Sequence, residues 1–109
     1  MDINISCQLT SFFDSAAIDE RLEKSHMSMY LALLKSLNDQ NTNPFIICRS
    51  DIMKLAKISC TTYHKCIREL VAYGYINYKP SYHPGKRSKI FFLNNRAAEV
   101  IEEIQLLEL

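Results

Sequence analysis

Ile58-Ser59-Cys60-Thr61-Thr62-Tyr63-His64-Lys65-Cys66-Ile67-Arg68-Glu69-Leu70-Val71-Ala72-Tyr73-Gly74-Tyr75-Ile76 decides how this chain folds. Ser59 stands where a helix wants its N-cap. No glycine or proline interrupts residues 60–73, and Gly74 follows as an αL stop. With Tyr63 at zero on a wheel of about 100° per residue, Ile67, Leu70, Cys66, Val71 and Gly74 fall within about 80° of it. Thr61, Lys65, Arg68 and Ala72 fall opposite, between about 140° and 200° on the same wheel. One face of the helix is therefore expected to pack, and the other to present hydroxyl, ammonium and guanidinium groups along one line.

Upstream, Ser50 is placed to cap a helix of about two turns. Asp51 suits its dipole, and Ile52, Met53 and Leu55 form its core side. Before it, Phe45-Ile46-Ile47-Cys48 is too short for a helix and reads as a strand, bounded by the polar loop 39–44. Further back, Met27, Tyr30, Leu33, Leu34 and Leu37 recur at spacings of three and four, predicting a helix over 27–38 capped by Ser25. Residues 15–24 read as a short helix with Ile18 and Leu22 on one side. Residues 1–14 show no clear period and are expected to form a loosely held arm.

Downstream, 75–79 and 89–93 are β-prone and flank a basic loop in which Pro84-Gly85 suits a type II turn. Asn94 or Asn95 then caps a last helix, whose apolar stripe is Ala97, Val100, Ile101, Ile104 and Leu107. The expected class is mainly α with a small β-hairpin, in the α+β sense. Residues 15–93 form the body, and 94–109 are a C-terminal helix available for dimerisation.

This order is that of a winged helix-turn-helix with extra N- and C-terminal helices. The 58–76 segment resembles the recognition-helix region of bacterial winged helix regulators, whose pattern runs from a capping Ser and a Thr to L-x-x-x-G-[YL]-I. The chain keeps Ser59, Thr61, the Ile67/Leu70 pair and Gly74-Tyr75-Ile76. It departs at Cys60, where many relatives carry a polar or basic residue. More loosely, the whole chain resembles small helix-turn-helix proteins of bacterial mobilizable transposons. The resemblance implies double-stranded DNA as partner, and a role in transcription regulation or in excision, transfer or replication of a mobile element.

Charge points the same way. Over 109 residues the net is only +1, but it is segregated. Residues 1–53 carry four bases against seven acids, 54–89 eight bases against Glu69 alone, and 90–109 Arg96 against four glutamates. A basic stripe on a nearly neutral protein is an electrostatic footprint for a polyanion. The expected DNA contacts are Thr61, Thr62, His64, Lys65 and Arg68 on the helix, and Tyr82, His83, Lys86, Arg87 and Lys89 on the wing. Arg68 suits a guanine edge, and Lys65 a guanine or a phosphate.

Other chemistries are poorly served. Cys60, His64 and Cys66 tempt a metal-responsive reading, yet there is no Cys-x-x-Cys knuckle, and Cys66 points inward. Cys60 beside His64 lacks an orienting carboxylate or oxyanion loop, and the two glycines are already explained by a cap and a turn, so no enzyme is expected. Neither a cofactor, a metal nor a small-molecule ligand is implied. The four cysteines are expected as free and mostly buried thiols in a cytoplasmic protein, since no secretory leader or spanning run is visible. A dimer through the last helix would suit a two-fold operator. The rival reading is a winged helix serving as a protein-interaction module in a larger assembly.

Overall fold

The structure, a computed structural model, describes residues 4–80 and 87–92. Within them the chain forms α1 (Ile5–Ile18), α2 (Lys24–Gln40), β1 (Phe45–Ile47), α3 (Arg49–Ala56), α4 (Cys60–Ala72), β2 (Ile76–Lys79) and β3 (Ser88–Phe92). It is a mainly helical α+β fold with one small antiparallel sheet, ordered β1-β3-β2. The loop tip at 81–86 and the helix expected after Asn94 lie outside the described residues.

The first helix departs most from expectation. Residues 5–14, read as an arm, are helical, and Asn4 caps them by accepting from the Cys7 amide at 3.2 Å. Its fully buried residues are Gln8, Phe12 and Ser15, while Ile5 and Leu9 are partly buried against the core, so the apolar spacing Ile5, Leu9, Phe12 is interleaved with buried polar side chains. Gln8 donates to the Tyr30 hydroxyl at 2.7 Å, and the Phe12 ring stacks on Tyr30 at 3.7 Å. The helix ends at Ile18, short of the expected 24. Ile18 is 74% exposed rather than in the core.

Helix α2 is the spine of the core. Its Met29, Tyr30, Leu33, Leu34 and Leu37 are buried, and burying each such side chain fully contributes about 1.5–3 kcal/mol. Its cap is Glu23, not Ser25. The Glu23 carboxylate accepts from the His26 amide, and His26 Nδ1 accepts from the Glu23 amide at 2.8 Å. An imidazole thus takes the place usually held by a Glu or Gln side chain in a capping box.

Helix α3 begins two residues early, with Cys48 at the cap and Ser50 inside. Its inward pair is Ile52 and Ala56, four apart, which leaves Leu55 51% exposed. Lys57 closes it in the left-handed region, at φ 59°. Ser28 Oγ donates to the Ala56 carbonyl at 2.7 Å and ties α3 to α2.

In the sheet Phe45 pairs with Ile90, and Ile76 with Phe92. Phe45, Ile47, Ile76, Ile90 and Phe92 face the helices and are buried, while Ile46, Asn77, Lys79 and Lys89 face out. The free edge of β1 is closed by one side chain: the Gln40 amide accepts from Ile46 N at 2.9 Å and donates to Ile46 O at 2.6 Å.

Candidate nucleic-acid interface

Helix α4 is held at both ends by its own sequence. Ser59 Oγ accepts from the Thr62 amide at 3.2 Å, the expected N-cap, and donates to the Thr62 hydroxyl at 3.0 Å. At the other end Gly74 has φ 86° and donates to Val71 O, while the Tyr75 amide reaches back to Leu70 O. These two bonds make a Schellman motif, with Leu70 and Tyr75 both buried beneath it.

Between the ends, Tyr63, Cys66, Ile67 and Leu70 are buried against the core, as the wheel predicts. Thr61, His64, Lys65, Arg68 and Ala72 are exposed. Val71, expected inward, is 37% exposed because a cleft runs beside it. Thr62, expected on the binding face, is half-buried with its hydroxyl engaged in the cap, so it serves the helix start.

The basic face stays basic because its one acid is turned away. Glu69 Oε1 meets His26 Nε2 at 3.0 Å, and Oε2 accepts from the Tyr73 hydroxyl at 3.3 Å. Since His26 Nδ1 is an acceptor, its Nε2 carries the proton in the neutral ring and donates to Glu69. Desolvation raises the Glu69 carboxyl's pKa, but the bond from His26 and the Lys65 charge outweigh it and hold the carboxyl below its usual range. Lys65 itself lies 3.8 Å from the Glu23 carboxylate, an exposed pair of small worth. Arg68 has no hydrogen-bond or ion-pair partner among the described residues.

Two clefts border α4. One, of about 540 Å³, runs between α4 and β2 and is lined by Tyr63, His64, Ile67, Arg68, Val71 and Tyr78. The other, of about 350 Å³, continues toward the start of α3; it shares Tyr63, His64 and Tyr78 and adds Arg49. His64 and Arg68 therefore stand on one wall. Arg49, counted in the acidic first half of the chain, joins them only through the fold, a placement no local pattern encodes. Lys79 was likewise missed: it pairs directly with Lys89 across the strands, and its ammonium sits 5.0 Å from the Phe91 ring centroid. Like charges opposite each other cost stability unless an anion meets them.

The rest of the expected wing is divided. Tyr82, His83 and Lys86 lie outside the described residues. Arg87 is exposed and borders a different cleft, with Asp39, Asp51, Ile46 and Leu55. It is not brought to α4.

The cysteines differ from expectation too. Only Cys66 is buried, and desolvation pushes its thiol pKa up. Cys48 is half-buried, while Cys7 and Cys60 are exposed. Among the described residues no three His, Cys, Asp or Glu side chains converge as metal ligands would. No helix among them is long and apolar enough to cross a membrane. No protein-family model matches the chain, nor does any curated protein or solved structure, so the role of this surface rests on its chemistry.

Proposed function

We propose that the chain is a winged helix-turn-helix protein of the cytoplasm that binds double-stranded DNA selectively, with α4 in the major groove and the β2–β3 hairpin against the backbone. The observation that carries this reading is the outer face of α4. Thr61, Lys65 and Arg68 are exposed in one line on a helix capped at both ends, and the only acid in its sequence is folded inward onto His26 and Tyr73. The element order supports it: two short helices joined by a tight turn, then a hairpin, with β1 completing the sheet. The opposed Lys79 and Lys89 supply a second cationic feature at the loop end of the hairpin.

Arg68, with five donors and no protein partner among the described residues, reads a guanine edge, and Lys65 exchanges its weak bond to Glu23 for a base or phosphate. Lys79 and Lys89 neutralise phosphates without regard to sequence. The protein acts as a transcription regulator or as an accessory factor of a mobile element, and a dimer would present two copies of α4 to a two-fold site.

Fluorescence anisotropy of a labelled duplex, titrated at low and at near-physiological salt, tests this directly. Binding should weaken steeply with salt. Arg68→Ala should cost roughly 1–3 kcal/mol and relax preference at one base pair, whereas Lys89→Ala should weaken all sequences about equally. Absence of binding at both salts would sink the proposal and favour a protein-interaction module. Ile46, 46% exposed, and Leu55, 51% exposed, bordering one cleft, would then be the surface to test.

A further inference from the structure

The two adjoining clefts beside α4, which share Tyr63, His64 and Tyr78, border a polar group that the fold leaves unused. Their α3 end contains four hydroxyls. Ser50 is paired with the Cys48 thiol at 3.2 Å, and Tyr78 and Ser88 are paired with each other at 3.1 Å. The fourth, Tyr63, belongs to a side chain only 3% exposed, yet its hydroxyl makes no hydrogen bond among the described residues. No buried polar side-chain atom is left unpartnered there, so the Tyr63 oxygen reaches solvent, and the space it reaches is the cleft. Desolvation pushes its pKa up to about 12, so the hydroxyl keeps its proton and stands as a donor.

Two guanidiniums border it. Arg49 lines the same lobe and Arg68 the other, His64 lines both, and among the described residues no Asp or Glu side chain lines either. Beyond them the wall turns apolar at Ile67 and Val71. A donor and a guanidinium at one end, with an apolar floor running away from them, match a planar aromatic ring bearing a carboxylate. Each lobe has the size usual for a small-molecule site.

We infer that the cleft between α3, α4 and β2 is an effector site for a small aromatic carboxylate, its anionic group on Arg49 and the Tyr63 hydroxyl and its ring along Ile67 and Val71. This goes beyond the absence of any small-molecule partner expected from the sequence. One part rests on the DNA-binding reading. His64 and Arg68 line the wall of the cleft and also stand on the face assigned to DNA, so ligand and duplex oppose each other, and by linkage each weakens the other equally.

The test titrates the full chain with 2-naphthoate in a calorimeter, with 2-naphthamide as the uncharged control. One saturable site per chain is expected, with a Kd below about 1 mM. The amide, Tyr63→Phe and Arg49→Gln should each weaken binding by about tenfold, the effect of losing one hydrogen bond to a charged group. Arg49 is exposed and its replacement leaves the core intact, so the proposal does not depend on Tyr63→Phe folding well. No saturable binding, or equal affinity in wild type and both variants, would overturn the site. A second arm repeats the duplex titration with saturating 2-naphthoate, where weaker duplex binding is expected. Unchanged duplex affinity would overturn the opposition between ligand and DNA. Naphthoate binding by a protein that binds no duplex at either salt would uphold the site while the DNA reading fell.

Discussion

Where α4 meets α2, Glu69 holds the His26 imidazole and the Tyr73 hydroxyl, and Lys65 leans on Glu23. Where α4 meets β2, the Arg68 guanidinium and the Tyr63 hydroxyl have no hydrogen-bond partner among the described residues. The two flanks belong to one helix and differ in what their polar groups are for. A polar group satisfied within the protein fixes the position of α4. One left open beside a cleft adds nothing to that position and is available to something outside. Stability and binding should therefore separate along the two sides of one helix.

The sharpest way to break that comparison is His26→Ala. His26 is 1% exposed and serves two partners at once, the Glu23 amide and the Glu69 carboxylate. Its loss should lower unfolding free energy by about 2–3 kcal/mol in a denaturant titration, since it removes a cap and leaves a half-buried carboxylate short of a donor. A loss under about 0.5 kcal/mol, the range of ordinary surface changes, would mean that this flank is not a structural joint.

Next comes Asp19, in the connection between α1 and α2. It accepts from Arg21 at 2.8 Å through both oxygens and from the Tyr75 hydroxyl at 2.7 Å. The Arg21 bonds, helped by Tyr75 and opposed by burial, hold its carboxyl far below the ordinary value of 3.8. A folded pKa depressed in this way contributes stability that is complete above about 3.8 and is lost as pH falls below it. Asp19→Asn should cost about 1–2 kcal/mol at neutral pH and flatten the acid side of the stability profile. An unchanged profile below pH 5 would count against the pairing.

Ser59→Ala should cost about 1 kcal/mol, the usual loss for an N-cap hydroxyl. The smallest effect belongs to the other flank: Arg68→Ala should change stability by less than about 0.5 kcal/mol while still costing duplex affinity. If Arg68→Ala destabilised the protein as His26→Ala is expected to, the two flanks would not differ in kind.

How far the sequence could be read follows the same division. Helix α4 was legible because local rules agree on it: a serine cap, an apolar period and a glycine stop. The strands were legible too, though β2 starts at Ile76 rather than Tyr75, because Tyr75 is spent on the Schellman bond. Helix α1 was not, because its apolar spacing is short, Ile5, Leu9 and Phe12, and the polar Gln8 beside it is buried only through its bond to Tyr30 on α2. In α3 Leu55 and Ala56 lie three and four residues after the buried Ile52, so helical spacing suits either, and packing against α2 selects Ala56. On the site, Arg68, Lys65 and Thr61 were found by periodicity. Arg49 and the open Tyr63 hydroxyl could not be, because their nearness to each other and to His64 is created by three elements meeting.

The sheet order carries one more consequence. Phe45 and Ile47 have no partner strand until Ile90 and Ser88 exist, because β1 pairs with β3 and not with β2. On the ribosome β1 emerges before its partner, and it must wait for α3, α4 and β2 to be made before its hydrogen bonds to β3 close. The two bonds from Gln40 to Ile46 are the opposite case, closed by residues six apart in sequence, so the outer edge of β1 is met by a local contact and its inner edge only by a distant one.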